Sequence, residues 1–207
     1  STGENIESKL TFLNLKTVNI DYIKGTLKDV PFYSEKIKFD LNEGIVNSSP
    51  MTIDFGSGTL YSQIKFLNTK NYLLNLRASE IDLDELKKIF LLQDRINGQM
   101  NGELYLSYED NKPIILTNLN FREGNFDDIL FETFKIKASY RGNRLTLSDV
   151  YMDTDIGQLK LNGWLTNTGE KYSFKETDLL NINGDFDKFE ISYLMRYFPW
   201  EQKTTGL

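Results

Sequence analysis

Through most of this 207-residue chain apolar side chains return at every second position, a period that dictates extended backbone. Ile37, Phe39 and Leu41 show it, as do Met51, Ile53 and Phe55, then Tyr72, Leu74, Leu76 and Ala78. Further along come Met100, Gly102, Leu104, Leu106 and Tyr108; Phe134, Ile136, Ala138 and Tyr140; Leu145 and Leu147; Leu159, Leu161, Gly163 and Leu165; and Leu180, Ile182, Gly184 and Phe186. Successive side chains of a strand point to opposite sides, so these runs predict strands with one apolar and one wet face. The wet face carries Lys36, Lys38, Asp40, Lys135, Lys137, Gln158, Lys160 and Asn162. Turn signals at 109–113, 141–143 and 166–169 have the spacing of an antiparallel or meandering sheet. Only four prolines occur, which suits long strands. Val150 and Met152 fall on the opposite parity from Leu147, which predicts a bulge or bend between 147 and 150.

Two segments change period. Asp82 to Leu92 places Leu83, Leu86, Ile89 and Phe90 on a helical stripe, with acidic residues early and lysines in the middle. Asp187 to Phe198 repeats the idea with Phe189, Leu194, Met195 and Phe198. Short helices are therefore expected to interrupt a mostly β chain and to cap or plug an end of the sheet.

Residues 10–21 (LTFLNLKTVNID) and 116–127 (LTNLNFREGNFD) are two versions of one phrase, 106 positions apart. IDLDEL at 81–86 returns as FDKFEI at 186–191. Stacked repeats bury a shared, continuous apolar surface. The expected organisation is one elongated segment over 1–207, with a partial first copy at 1–97, a second copy at 98–203 and the start of another at 204–207. Ser1-Thr2-Gly3 reads as an expression scar, and the whole is expected to be a piece of a longer protein.

Composition removes many function classes. A net charge of -6 argues against nucleic acid or anionic lipid bound through charge. Neither cysteine nor histidine is present, which removes disulfides, thiolate chemistry, the commonest metal ligand and the commonest general base. No phosphate-cradling glycine loop and no serine elbow occurs among Gly56, Gly58, Gly157, Gly163, Ser57, Ser139 and Ser192. The acidic group Glu80, Asp82, Asp84 and Glu85 could be imagined as a calcium site or acid/base pair, but its place at a helix start favours complementing the helix dipole. Asp127 and Asp128 suit a turn or edge. Tyr105, Tyr151 and Trp164 could form a sugar-stacking platform, against the ordinary use of aromatic residues for packing in strands. No enzyme activity, cofactor or metal is expected.

Amphipathic strands admit three arrangements: two apolar faces sealed in a sandwich, an apolar exterior facing lipid in a membrane barrel, or an apolar groove holding a guest. Irregular helices and many lysines without aromatic girdles disfavour the barrel.

The order of features resembles a known family. Ile81-Asp82-Leu83-Asp84-Glu85-Leu86 is followed by Ile96-Asn97-Gly98-Gln99-Met100-Asn101-Gly102-Glu103-Leu104, Pro113-Ile114 and Gly124-Asn125-Phe126-Asp127-Asp128-Ile129. Tyr140-Arg141-Gly142-Asn143-Arg144-Leu145-Thr146-Leu147 and Gly157-Gln158-Leu159-Lys160-Leu161-Asn162-Gly163 complete the pattern. This resembles the repeated periplasmic portion of the TamB family, within the wider AsmA-like group of bridge-like proteins, well over 70–207 and more loosely over 1–69. At 170–180 (EKYSFKETDLL) extra polar residues depart from the repeat, and a loop is expected there.

The resemblance implies a mainly β, elongated, curved, taco-like sheet with an apolar concave groove and short interspersed helices. It also implies an inner-membrane anchor, a bacterial periplasmic setting and conduction of phospholipid between inner and outer membranes. The expected partners are acyl chains and, through a region outside this segment, an outer-membrane barrel protein. The alternative is a scaffold or chaperone for outer-membrane protein assembly acting through strand augmentation. The residues expected to line the groove are Leu74, Leu76, Leu104, Leu106, Ile136, Leu145, Leu147, Leu159, Leu161 and Ile182.

Overall fold

The computed structural model describes residues 5–14, 16–68, 71–90, 95–109, 112–166 and 179–189. They form one 13-stranded antiparallel sheet and one helix. The strands are β1 (Asn5–Asn14), β2 (Thr17–Leu27), β3 (Val30–Asn42), β4 (Ile45–Ser48), β5 (Met51–Phe55), β6 (Gly58–Asn68) and β7 (Asn71–Asp82). After α1 (Leu83–Phe90) come β8 (Ile96–Glu109), β9 (Lys112–Phe126), β10 (Ile129–Arg141), β11 (Arg144–Thr154), β12 (Gly157–Thr166) and β13 (Leu179–Asp187). Each strand pairs with the next in sequence, except that β4 and β5 together fill one position between β3 and β6. They read as one strand broken at Ser49-Pro50, where proline has no amide to give the ladder. The period-two reading is thus borne out as a meander, with β1 and β13 at its edges.

Tight turns set the register. At Lys28-Asp29 both residues take positive φ, 47° and 67°, and at Glu43-Gly44 the angles are 50° and 83°. Such turns twist in the sense that flanking strands need. The predicted slip is present: β11 shifts register against β12 between Leu147 and Val150. The extra residues there let Leu145, Leu147, Val150 and Met152 all serve one face despite their change of parity.

The first predicted helix forms. The Asp82 carboxylate accepts from the Asp84 amide at 2.8 Å and caps it, while Lys28 Nζ donates to the Ile89 carbonyl at its far end, 3.2 Å away. Helix α1 packs on β3, β7 and β8. Leu83 joins Phe121, Ile129, Phe131, Met152, Leu159 and Phe189 in one buried cluster. A second holds Val30, Phe55 and Ile81, and Leu86 touches both. The core therefore sits on the apolar face at one end of the sheet, the end where α1 and the hairpins β2–β3, β5–β6, β9–β10 and β11–β12 gather. The second predicted helix, Asp187 to Phe198, lies outside the described residues beyond Phe189.

The two phrases 106 positions apart do not occupy equivalent places. Residues 10–21 span the end of β1, a turn and the start of β2, whereas 116–127 run along β9 into its turn. From β2–β6 to β9–β12 the equivalence follows a spacing of 99: the turns at 28–29, 43–44 and 56–57 return at 127–128, 142–143 and 155–156. Buried Val30 and Ile129 begin equivalent strands, Lys36-Ile37-Lys38 matches Lys135-Ile136-Lys137, and buried Met51 matches Val150. The break at Ser49-Pro50 falls where β11 is bulged at Ser148-Asp149. Gly25 and Gly124 carry the most telling match. A Cβ at Gly25 would overlap the Asn5 carbonyl and come 3.0 Å from the Phe32 ring, and at Gly124 it would overlap the Asn97 carbonyl and come 2.6 Å from Phe131. Each glycine leaves room for the tip of an aromatic ring against its strand.

Candidate functional site

The pairing registers place all ten expected groove residues on one face. Leu74 pairs with Leu106, and the row continues through Ile115, Tyr140, Leu145, Leu165 and Leu180. Leu76 and Leu104 begin the next, followed by Thr117, Ala138, Leu147, Gly163 and Ile182. A third runs Ala78, Gly102, Leu119, Ile136, Val150, Leu161, Gly184. The fourth runs Ile81, Met100, Phe121, Phe134, Met152, Leu159, Phe186. Directly paired residues of an antiparallel sheet share a face, so four apolar rows cross seven strands without a charged residue.

Burial divides this surface. Leu159 is 4% exposed because it belongs to the cluster under α1, whereas Ile182, on the edge strand, is 46% exposed. The other eight are half-buried, and two of them, Ile136 and Leu161, pack against that same cluster. At the end away from α1, Tyr72 and Tyr108 stack with centroids 5.5 Å apart. Among the described residues there is no second sheet. Ile115, Leu119 and Phe121 also belong to these rows and are not among the ten expected residues. Their alternation in β9 is interrupted by Thr117 and masked by the repeated phrase, but it was there to be found.

The opposite face is mostly polar, although Leu73, Ile114 and Leu116 belong to it. Tyr61, Arg77, Glu103, Asn118 and Lys137 form one of its rows, with alternating charge. An open concavity of about 490 Å³ is lined by Tyr61, Asn75, Arg77 and Glu103 together with apolar Met51, Leu76, Leu104 and Leu116, and another of about 530 Å³ by Glu103, Tyr105, Leu116, Asn118 and Lys137, among other residues. No group of three potential metal ligands occurs among the described residues. Tyr105 and Trp164 share a row but stand four strands apart, and Tyr151 belongs to a different row. The Arg144 guanidinium lies 4.5 Å from the centre of the Trp164 ring and Lys160 Nζ 5.7 Å from that of Tyr151, so each ring already carries a cation. The three aromatics do not compose one platform.

The acidic group near α1 is engaged structurally. Asp82 caps the helix, Asp84 pairs with Lys87 at 2.7 Å, and Glu85 accepts from the Ser57 amide at 3.0 and 3.1 Å and from its hydroxyl at 3.2 Å. Asp127 and Asp128 form the β9–β10 turn. On the polar face near the β1 edge, Tyr22 donates to Glu7 at 2.7 Å and Lys24 pairs with it at 3.0 Å. The Tyr22 hydroxyl, then the Lys24 ammonium, hold the Glu7 carboxyl below its ordinary value and raise their own. These groups stabilise charge at a wet surface and are not arranged around a reacting centre.

Chemically, the arrangement offers one extended hydrocarbon-like surface and one mixed-charge surface on a single sheet. Compared with protein families, curated proteins and solved structures, the chain matches none of them.

Proposed function

We propose that the apolar rows of β7–β13 hold phospholipid acyl chains, and that the chain is a segment of a bacterial envelope protein conducting lipid between inner and outer membranes through the periplasm. The observation that carries this reading is that, of the uncharged rows crossing seven strands, the two that start at Leu74 and Leu76 lie outside both core clusters, with no second sheet among the described residues. In this reading the sheet coils so that its apolar face is concave, a taco-like trough. Seven strands at about 4.8 Å spacing cover roughly 29 Å, close to the hydrocarbon thickness of a whole bilayer, so one acyl chain needs only about half of that width. Each methylene taken from water contributes about 0.8 kcal/mol without any directional contact. A guest held that way slides along matching rows, because no single position traps it.

Native mass spectrometry of gently purified protein is expected to show co-isolated phospholipid. Leu147→Asp and Leu161→Asp, each placing a charge in the rows, should reduce lipid occupancy several-fold, while Asn118→Asp on the polar face leaves it unchanged. Circular dichroism confirms that each variant is folded. Absence of lipid from the unaltered protein, or equal occupancy in all variants, would overturn the reading. The open edges at β1 and β13 favour a second reading, a scaffold that augments strands of outer-membrane proteins. Under it, row charges leave client binding intact.

A further inference from the structure

The internal repeat determines what fits the two free edges of the sheet. In the 99-residue equivalence β2 corresponds to β9, so β1, which pairs with β2, corresponds to β8, which pairs with β9. Leu10 faces Ile20 as Gly102 faces Leu119, and 20 and 119 are 99 apart. At the other side β13 corresponds to β7. Ala78 pairs with Leu60, and Phe186 pairs with Leu159, the equivalent of Leu60. The match reaches the strand end: Glu80 and Lys188 have φ of 56° and 58°, and each precedes a buried apolar residue, Ile81 or Phe189. Gly58 lies against the backbone of Ser79 and Glu80 as Gly157 lies against that of Asp187 and Lys188.

Within the chain β7 and β8 are partners, whereas the outer edges of their equivalents, β13 and β1, pair with no strand among the described residues. All nine residues of β13 are exposed. Of the eleven large apolar side chains exposed among the described residues, six belong to these two strands: Ile6, Leu10, Leu179, Leu180, Ile182 and Phe186. Free backbone groups bordered by apolar side chains form a template for another strand.

We propose that β13 of one molecule pairs antiparallel with β1 of a second copy of this chain, in the register that joins β7 to β8. That register sets Phe186 opposite Leu10, as Ala78 stands opposite Gly102, and Asp185 opposite Thr11, as Arg77 stands opposite Glu103. The first pair is apolar, and the second sets no like charges together. The contact is head-to-tail, because each edge meets the other kind, so it propagates into linear assemblies. It also carries the apolar rows from one molecule onto the next, whatever those rows bind.

The 207-residue chain has no cysteine, which permits a direct test by introducing single cysteines. Leu10→Cys and Phe186→Cys are made separately, both on exposed edge positions, and then mixed under mild oxidation. The mixture is expected to give several-fold more covalent dimer than either variant alone, and the unaltered protein to grow in mass with concentration in sedimentation velocity. Two outcomes overturn the proposal. One is each variant crosslinking with itself as readily as with the other, which indicates a symmetric edge contact. The other is a monomer at every concentration with no crosslinked product.

Discussion

The apolar face is one surface with two fates. At the α1 end its residues are covered: Ile81 is fully buried, Phe131 is 3% exposed, and helix, hairpins and Phe189 close over them. Toward the other end, Leu74, Leu106 and Leu145 have the same chemistry and alternation, yet they are half-buried and belong to neither core cluster. Alternation decides which side of a strand is apolar. Whether that side becomes a core depends on what the chain lays across it.

Truncation should separate the two ends most strongly. Phe131→Ala leaves a cavity among rings that touch, with Phe134 6.0 Å away, and is expected to cost about 3–5 kcal/mol in urea unfolding. Leu145→Ala, which deletes a half-buried side chain outside both core clusters, should cost less than about 1.5 kcal/mol. Equal losses would show that the far end is covered too.

Gly124→Ala tests the covered end from the backbone side. Its new methyl would meet both the Asn97 carbonyl and the Phe131 ring, so about 1–3 kcal/mol of destabilisation is expected by the same measurement. A neutral result would mean that β8 and Phe131 give way easily. A smaller effect is expected at the helix: Glu85→Ala removes the acceptor for the Ser57 amide and hydroxyl and should cost about 1 kcal/mol.

The smallest effect belongs to the wet face. Glu7 has a depressed pKa, so its contribution to stability is present above the ordinary glutamate range and fades as pH falls through the folded value. Tyr22→Phe removes the larger cause. An NMR titration of the Glu7 carboxyl is expected to move up toward the ordinary value, with only a slight change in acid stability. No movement would mean that the Tyr22 bond does not form in solution.

Much of the sheet was legible because strand parity is a local property. Runs such as Tyr72 to Ala78 and Leu159 to Leu165 gave both the strands and the shared face of the ten residues, and Val150 revealed its bulge by changing parity. The helical stripe of Leu83, Leu86 and Ile89 was equally local. The phase of the repeat is less legible, because the shared phrase and the turns give different offsets. Letter identity between 10–21 and 116–127 outweighed the turns, yet it is the turns at 28–29 and 127–128 that fix equivalent strands. Pro50 marked the break between β4 and β5 but gave no sign that both halves share one place in the sheet. Depth of burial was also hidden, since nothing within β11 distinguishes Met152, buried under α1, from Leu147, which lies on the open part of the face.

The two halves of the sheet are also out of step. Leu76 and Gly184 are equivalent by the pairing of β7 and β13 with their neighbours, yet the row that starts at Leu76 arrives at Ile182. Every six strands, a straight line across the ladder drifts two residues, roughly 6.7 Å, along the strand direction. Hairpins at one margin of the ribbon therefore climb like stair treads. Any molecule seeking identical surroundings as it moves from one half to the other must travel obliquely, on a diagonal ramp set by the stagger.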